Sequence, residues 1–289
     1  MKTRKGIILA GGTGSRLFPA TLAVSKQLLP VYDKPMIYYP LTTLMQADIR
    51  DILVISTPRD LPRFKDLLGD GSQWGIRLSY AEQKKARGLA EALLIGEPYL
   101  NGSPSALILG DNLFHGAFLT NFLEKASLKS EGASVFAIRV SDPNRYGIVT
   151  FDENSHATSI VEKPSVPSSN FAVTGLYFYD SDAPRLASTL LPSSRGELEI
   201  TDLNNIYLQS GKLDVSLLPR GFAWLDTGTV KSLLEASEYI AAIQNREGLL
   251  VGSPDETAFH KGWIPREVLL KNAARCDKTA YGQMLTSLA

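Results

Sequence analysis

Residues 6–17 read GIILAGGTGSRL, and this stretch decides the fold. The apolar residues 6–10 predict a short buried strand, and the glycines that follow predict a tight turn. Because glycine has no side chain, backbone N–H groups in such a turn approach an anion closely. Arg16 adds a permanent positive charge with a planar set of donors. The stretch therefore predicts a strand that ends in a phosphate-binding loop.

Two common phosphate loops are excluded by the spacing. A Walker A loop requires Gly-Lys after four intervening residues, whereas Arg16 follows the four residues after Gly11. A dinucleotide-binding loop requires a third glycine at the helix start, where this chain has Leu17. The sequence of the loop alone fits two interpretations equally well. One is a polyphosphate-binding site, and the other is a tight strand-to-helix turn that carries an exposed arginine.

Short apolar runs alternate with helical patterns in the first half of the chain. The predicted strands are Lys5–Ala10, Asp51–Ser56, Arg77–Tyr80, Ser105–Leu109 and Ala133–Val140. The predicted helices are Ile37–Ala47, Leu61–Leu68, Leu89–Leu94 and Phe118–Leu128. This alternation indicates an α/β fold of the Rossmann-like type, in which helices cover both faces of a mostly parallel central sheet. Such sheets bind ligands beyond the carboxyl ends of their strands.

The second half has a different texture. The predicted strands of a small, substrate-facing β layer are Tyr146–Phe151, Thr158–Val161 and Val173–Tyr179, with further strands at Leu213–Leu218 and Phe222–Leu225. Residues 164–170 are proline- and serine-rich and predict a loop. Lys231–Arg246 predicts a long helix, and Pro265 precedes a helix over Arg266–Ala274 in a helical C-terminal tail.

Two acids each follow an apolar run, which places them at the edge of a sheet. Asp111 follows residues 107–110 and Asp226 follows residues 222–225. Their spacing alone does not join them, and each also fits as a turn or helix-cap acid. Glu162 and Lys163 directly precede Pro164. They could form part of a site, and they fit equally well as an ion pair exposed to solvent. The three histidines are scattered along the chain, which argues against a zinc site.

Composition excludes several classes of protein. Thirty basic and thirty acidic residues cancel, so nothing predicts a nucleic-acid-binding surface. A hydrophobic share of 44% over 289 residues allows a large core. Cys276 is the one cysteine, which excludes an internal disulfide and fits a reducing compartment. The N-terminal apolar run is too short for a signal peptide or membrane span, so we expect a soluble cytoplasmic protein without membrane partners.

Seven motifs then occur in order along nearly the whole chain. They are Leu9–Pro35, Gly110–Asn112, Asp142–Gly147, Glu162–Pro164, Val173–Tyr179, Arg195–Asp202 and Trp224–Gly228. Together they resemble the sugar-phosphate nucleotidylyltransferase family, and Ser25–Pro40 resembles its thymidylyl branch. The resemblance implies a single nucleotidyltransferase domain over residues 1–240. Within it, residues 1–140 would bind nucleotide and 141–228 sugar phosphate, while helical residues 241–289 would serve assembly and regulation.

The resemblance also implies a reaction. Glucose 1-phosphate would attack the α-phosphorus of dTTP, giving dTDP-glucose and pyrophosphate with Mg²⁺ as cofactor. This is the first step toward dTDP-rhamnose or related deoxysugars, carried out by a cytoplasmic homotetramer. Because the attacking phosphate is already an anion, no general base is needed, and the site needs cations that neutralise charge.

Matching positions imply the following site residues. The implied catalytic residues are Arg16, Lys26, Asp111, Lys163 and Asp226, of which Asp111 and Asp226 would bind the metal. The implied nucleotide-binding residues are Leu9, Gly11, Gly12, Thr13, Gly14, Ser15, Arg16, Lys26, Gln83, Gly88 and Asp111, with Gln83 and Gly88 at the thymine edge. The implied sugar-phosphate-binding residues are Tyr146, Gly147, Glu162, Lys163, Val173, Tyr177 and Arg195.

The chain departs from the family pattern at several positions. Arg87 stands in the base-binding loop where relatives often have an acid. The implied regulatory residues are His115, Gly116, Pro219, Arg220, Glu256 and His260, of which His115, Pro219 and His260 differ from the usual residues. Two alternatives remain: the same chemistry with UTP or another sugar 1-phosphate, and a non-catalytic nucleotide-sugar sensor. The presence of Arg16, Lys163 and both acids favours an enzyme.

Overall fold

The computed structural model describes residues 2–289, which form thirteen strands and ten α-helices. The strands are β1 Lys5–Ala10, β2 Pro30–Val31, β3 Lys34–Pro35, β4 Asp51–Ser56, β5 Arg77–Glu82, β6 Ser105–Leu109, β7 Asn112–His115, β8 Ala133–Arg139, β9 Gly147–Phe151, β10 Ala157–Glu162, β11 Phe171–Tyr179, β12 Leu213–Leu217 and β13 Ala223–Asp226. The helices are α1 Tyr38–Gln46, α2 Leu61–Leu68, α3 Glu91–Leu100, α4 Leu119–Leu128, α5 Ala183–Ala187, α6 Ile200–Gln209, α7 Val230–Glu247, α8 Pro254–His260, α9 Arg266–Ala274 and α10 Ala280–Leu288.

Nine strands form the central sheet. Its order is β10-β9-β11-β6-β1-β4-β5, and β8 and β12 continue from the other edge of β11. The pairings from β6 through β1 and β4 to β5 are parallel, as is that of β8 with β12. β11 runs antiparallel to its neighbours β6, β8 and β9. The prediction of a mostly parallel α/β sheet is confirmed, and the β9–β10 hairpin extends the same sheet.

Strand alternation divides the core between the two faces of this sheet. Along β1, Ile8 and Ala10 point to one core and Ile7 and Leu9 to the other, as the period of two requires. The first core also contains residues of α1, α2, α4, α9 and α10. The second contains residues of α3, α5 and α6. Helices therefore cover both faces, which leaves the ends of the strands as the accessible part of the sheet.

The C-terminal helices pack against the main body of the protein. Ala258 of α8, Leu269 of α9 and Leu285 of α10 are buried in the first core. Thr229 caps α7 by accepting a 3.2 Å hydrogen bond from the Ser232 backbone N–H. The predicted boundary between residues 1–240 and 241–289 falls inside α7, and this division of the chain stays a prediction. None of the helices in residues 2–289 is both long and apolar enough to cross a bilayer.

Several elements differ from the sequence-based predictions, and the helices α5 and α6 were not predicted. The helix predicted over Leu89–Leu94 is α3, which continues to Leu100 although it contains Pro98. The strand predicted over Phe222–Leu225 is β13, which lies outside the central sheet and pairs with β7 in a two-stranded sheet. β7 was not predicted, because it follows β6 after only two residues and is too short to give a pattern of its own.

Candidate active site

An open cleft of about 620 Å³ lies at the carboxyl ends of the parallel strands. It gathers residues predicted for nucleotide, metal and sugar phosphate alike. Those that line it are Leu9, Gly11, Gly12, Arg16, Lys26, Gln83, Gly88, Asp111, Tyr146, Gly147, Glu162, Lys163, Val173, Tyr177, Arg195 and Asp226. Thr13, Gly14 and Ser15 belong to the same loop but are not among the lining residues.

The cleft opens along one edge of β11. The first residues of β11, Phe171 and Ala172, pair with β9, and residues 176–179 pair with β6. Between these pairings, residues 173–175 have no strand partner on this edge among the described residues. Val173 and Gly175 line the cleft at this gap. The break in the ladder thus separates a side built on β1 and β6 from a side built on β9 and β10.

The two acids are brought together by the small β7–β13 sheet. Asp111 lies between β6 and β7, directly before Asn112, and Asp226 ends β13 opposite Asn112 at the start of β7. Thr227 fixes the junction, because its N–H and hydroxyl donate to the Asp111 carbonyl oxygen at 3.2 and 2.8 Å. Spacing alone could not join the pair, since the β7–β13 pairing was not visible in the sequence.

Cations surround this carboxylate pair. Lys26 forms an ion pair with Asp111, and Arg145 Nη2 lies 3.3 Å from Asp226 Oδ2. Burial, followed by the negative charge of Asp111, raises the pKa of Asp226, and Lys26, Arg145 and Arg16 oppose the shift. The two carboxylates therefore repel each other, and a bound cation would reduce this repulsion.

The donor set fits a small divalent cation. Two carboxylates supply hard oxygen ligands, and water and substrate phosphate complete the coordination shell of Mg²⁺ in such sites. Within residues 2–289 no cluster of three or more His, Cys, Asp or Glu side chains is arranged to hold a metal. The site accordingly fits an ion that shares its ligands with the substrate, and not a closed structural site.

Arg16, in the glycine-rich loop, and Gln83, directly after β5, lie on the side of the cleft formed by the parallel strands. The Arg16 guanidinium lies against Gly228, beyond Asp226, where an added Cβ would be 2.9 Å from Nη2. Gly11 lies against the Gln83 side chain, and Gly12 has a φ of +93°, which favours glycine. Gln83 is buried, and its backbone N–H donates to the Ser56 carbonyl at 2.8 Å. The loop after β1 and the end of β5 thus meet at this part of the cleft.

A network of charges lies on the opposite side of the cleft. Glu162 Oε2 accepts a 2.6 Å hydrogen bond from the Thr201 hydroxyl, and Lys163 Nζ lies 3.2 Å from Glu162 Oε1. Arg195 donates to Glu199 through Nε at 3.2 Å and Nη2 at 2.7 Å. Lys163 has a φ of +42°, a strained conformation for a residue with a side chain. The Lys163 and Arg195 side chains thus both lie beside the Glu162 carboxylate.

Sequence reasoning did not assign roles to several lining residues, among them Asn112, Arg145, Thr201 and Trp224. Asn112 Oδ1 accepts from Trp224 Nε1 at 2.7 Å and from the Gly175 N–H at 3.1 Å. Trp224 in turn packs on the Tyr146 ring with centroids 4.9 Å apart. All four residues lie inside the motifs that carry the family resemblance, and this was the signal that could have found them.

The predicted regulatory residues are only partly gathered. His115 and Gly116 line a second cavity of about 380 Å³, whereas Pro219, Arg220, Glu256 and His260 do not. Burial lowers the pKa of His115, so the ring holds a proton less readily than an exposed histidine. Burial raises the pKa of Glu256 to about 7. A regulatory site over these six residues stays a prediction.

The class of protein follows from this fold and cleft together with sequence comparison. Residues 5–243 match the nucleotidyl transferase family. The chain belongs to that family and is a nucleotidyltransferase.

Similar proteins carry a more specific name. The chain is 57% identical to a glucose-1-phosphate thymidylyltransferase of Xanthomonas campestris pv. campestris, over 100% of this chain and 98% of the relative. It is 55% identical to one of Neisseria gonorrhoeae, over 98% and 99%. The structure of a Bacillus anthracis protein described as a putative glucose-1-phosphate thymidylyltransferase superposes with a TM-score of 0.76 at 41% identity, covering 82% of this chain and 95% of that one. UDP-glucose pyrophosphorylase bound to UDP-glucose gives a TM-score of 0.73 at 25% identity, covering 82% and 98%.

Proposed function

We propose that this protein transfers a thymidylyl group from dTTP to α-D-glucose 1-phosphate, producing dTDP-glucose and pyrophosphate. One observation carries the proposal: a single cleft holds the glycine–arginine loop and Gln83 on one side and Glu162, Lys163 and Arg195 on the other, with two carboxylates nearby. The names of the relatives support the choice of nucleotide and sugar.

The reaction forms one P–O bond and breaks another. A phosphate oxygen of the sugar 1-phosphate attacks the α-phosphorus, and the bond from the α-phosphorus to the bridging oxygen breaks, so that pyrophosphate leaves with the electron pair. Arg16 and Lys26 hold the nucleotide phosphates and stabilise the charge on the leaving group. Lys163 and Arg195 hold the attacking phosphate. Their positive charges offset the repulsion between the sugar phosphate and the nucleotide phosphates, and they align the attack. Charge neutralisation and alignment are the main contributions that such a reaction requires from the protein.

Asp111 and Asp226 would hold Mg²⁺ in this site. When bound, the ion supplies charge neutralisation at the phosphates, which commonly contributes several kcal/mol to transition-state stabilisation. Lys26 keeps its ion pair with Asp111, so the carboxylate is presented to the cleft in one orientation. A bound cation would offset the burial and the negative charge of Asp111 that raise the pKa of Asp226, and so would favour the ionised carboxylate.

The sugar is recognised by fixed groups. Thr201 orients the Glu162 carboxylate, which accepts hydrogen bonds from glucose hydroxyls together with the backbones of Gly147 and Val173. Tyr146, held by Trp224, and Tyr177 form the walls beside the sugar ring. A pocket of this kind discriminates among sugars through hydroxyl positions, because an unpaired buried polar group is costly.

The remaining parts of the proposal concern context. The chain acts as a cytoplasmic homotetramer that supplies dTDP-rhamnose or related deoxysugar synthesis. Residues 1–140 bind nucleotide, 141–228 bind sugar phosphate and 241–289 serve assembly and regulation. A second candidate is the same chemistry with UTP, which the structural likeness to UDP-glucose pyrophosphorylase favours. A non-catalytic sensor is less well supported, because the cationic and acidic side chains of the cleft are all present.

The test is pyrophosphate release with dTTP, UTP, dCTP and dGTP, each against several sugar 1-phosphates. We expect dTTP with glucose 1-phosphate to give the highest kcat/KM and EDTA to abolish turnover. Asp226→Asn should lower kcat about a hundredfold or more, since a metal ligand and its charge are lost. Asp152→Asn, in an exposed turn outside the cleft, is the matched control. Full turnover in EDTA, or in Asp226→Asn, contradicts the proposal.

A further inference from the structure

The buried amide of Gln83 is held by the carboxylate of Glu91, which has no role in the proposed mechanism. Gln83 Nε2 donates a 2.9 Å hydrogen bond to Glu91 Oε2. Gln83 and Glu91 are each only 4% exposed. An ionised carboxylate accepts hydrogen bonds and donates none, so the NH₂ group of Gln83 must face Glu91. Among residues 2–289 no group donates to the other end of the amide, Oε1.

The free oxygen is directed to the nucleotide loop. An added Cβ on Gly11 would lie 2.4 Å from Gln83 Oε1, so this oxygen occupies the space beside the loop. Both residues line the cleft. The amide therefore presents a hydrogen-bond acceptor, and not a donor, at the place where the base of the nucleotide is expected.

Glu91 is itself fixed by its neighbours. Arg87 Nε donates to Glu91 Oε1 at 2.7 Å, and the Arg87 backbone N–H donates to Oε2 at 3.2 Å. Glu91 also lies in the first turn of α3, where backbone N–H groups and the helix dipole favour a negative charge. Arg87, the residue that departs from the family pattern, thus pairs with the acid that orients Gln83.

We propose that Glu91 is a positioning residue that selects the base of the nucleotide by locking the orientation of the Gln83 amide. The inference rests on the proposed function. An acceptor at this place pairs with the N3–H that thymine and uracil share. Cytosine has an unprotonated N3 there, so its lone pair meets the lone pair of Oε1. The locked amide consequently selects against cytosine and is indifferent to the 5-methyl group of thymine.

Glu91→Gln tests the lock. The single oxygen of the new amide cannot serve both Arg87 Nε, at the Oε1 position, and the two donors at the Oε2 position, which are Gln83 Nε2 and the Arg87 backbone N–H. When the oxygen faces Arg87 Nε, an NH₂ group faces Gln83 and favours the flipped Gln83 amide. In either orientation the negative charge that holds the Gln83 NH₂ group is lost. We expect the ratio of kcat/KM for dTTP to that for dCTP to fall about tenfold or more, mainly through KM for dTTP. The ratio for dTTP to dUTP should stay unchanged, because both bases carry N3–H. A general loosening of the site would instead change both ratios.

Two further variants complete the design. Glu97→Gln is the matched control: it makes the same change at an exposed acid of α3 that does not line the cleft, so both ratios should stay at the parent's values. The double variant Gln83→Glu with Glu91→Gln reverses donor and acceptor, and the carboxylate introduced at position 83 again offers an acceptor to the base. It should recover the preference for dTTP, and it provides the same readout if Glu91→Gln alone does not fold.

The outcomes separate this inference from the proposed function. Equilibrium binding of dTTP, dUTP and dCTP is measured by calorimetry beside the kinetics, with thermal unfolding for each variant. A dTTP-to-dCTP ratio that is unchanged in Glu91→Gln, or that falls equally in Glu97→Gln, overturns the role of Glu91. Failure of the double variant to recover the preference also overturns it. A parent protein that binds dCTP as tightly as dTTP would instead contradict the proposed function.

Discussion

Gly11→Ala tests how closely the glycine–arginine loop packs on the Gln83 side chain, the proposed contact of the base. The new Cβ would lie 2.4 Å from Gln83 Oε1, whereas ordinary van der Waals contact begins near 3.4 Å. The Gln83 amide therefore has to move by about 1 Å. Because Gln83 is buried, this movement strains its hydrogen bond to Glu91. Weakening a buried hydrogen bond to a charged group costs about 1.5–3 kcal/mol.

A smaller effect opposes this cost. Gly11 does not have a positive φ, so alanine fits its backbone, and the loss of unfolded-state entropy stabilises the fold by about 0.4–1 kcal/mol. We expect a net loss of about 1–2 kcal/mol in the free energy of unfolding. The displaced amide should also raise the Kd of dTTP about tenfold, since the base loses a hydrogen bond in its proper place.

Gly211→Ala provides the control. Gly211 has a φ of +68° and no neighbour within 4 Å of an added Cβ, and it lies between α6 and β12, away from the cleft. Its alanine variant should lose about 1–2 kcal/mol through backbone strain alone, with unchanged dTTP affinity. Denaturant unfolding and calorimetry measure both quantities. A Gly11→Ala protein with the parent's stability and dTTP affinity would refute the packing argument.

Three other predictions concern charge. Lys163→Ala should lose glucose 1-phosphate binding and kcat together while dTTP still binds in calorimetry; loss of dTTP binding alone would contradict the role of Lys163. The pKa of Glu256, raised by burial from 4.5 to about 7, means that the folded protein holds a proton that the unfolded chain releases. Its free energy of unfolding should therefore fall by ~1–2 kcal/mol between pH 5 and pH 8, allowing for partial exposure, and Glu256→Gln should flatten this slope in denaturant titrations. Product inhibition by dTDP-sugars should be stronger in His260→Arg than in the parent, because arginine offers a permanent charge and a planar set of donors to a diphosphate. Equal inhibition constants in the two proteins would show that His260 takes no part.

Local patterns predicted much of this fold because burial on two faces leaves a clear signal. β1, β4 and β6 begin and end where the apolar runs of the sequence begin and end, and the glycine–arginine loop follows β1 as expected. Each of these strands is covered by helices on both faces, so each appears as a continuous apolar run.

The pairing of strands that are distant in sequence could not be predicted from local patterns. β7 has four residues and β13 has four, and their register depends on contacts between distant segments. The same holds for the hydrogen bonds that fix the site, such as those of Asn112 with Trp224 and Gly175. The family resemblance supplied the two metal-binding candidates, whereas the structure alone shows how Asp226 comes to lie beside Asn112 and Asp111.

The β7–β13 sheet has a consequence for how the protein becomes active. Asn112 and Asp226 are paired although more than a hundred residues lie between them in the chain. During synthesis, the strands that hold the nucleotide loop are complete long before β13 leaves the ribosome. Contacts this distant in sequence form late, because a long loop must be closed first. A chain caught before that closure has half of its carboxylate pair, so the cleft is complete only when the chain as far as Asp226 is in place.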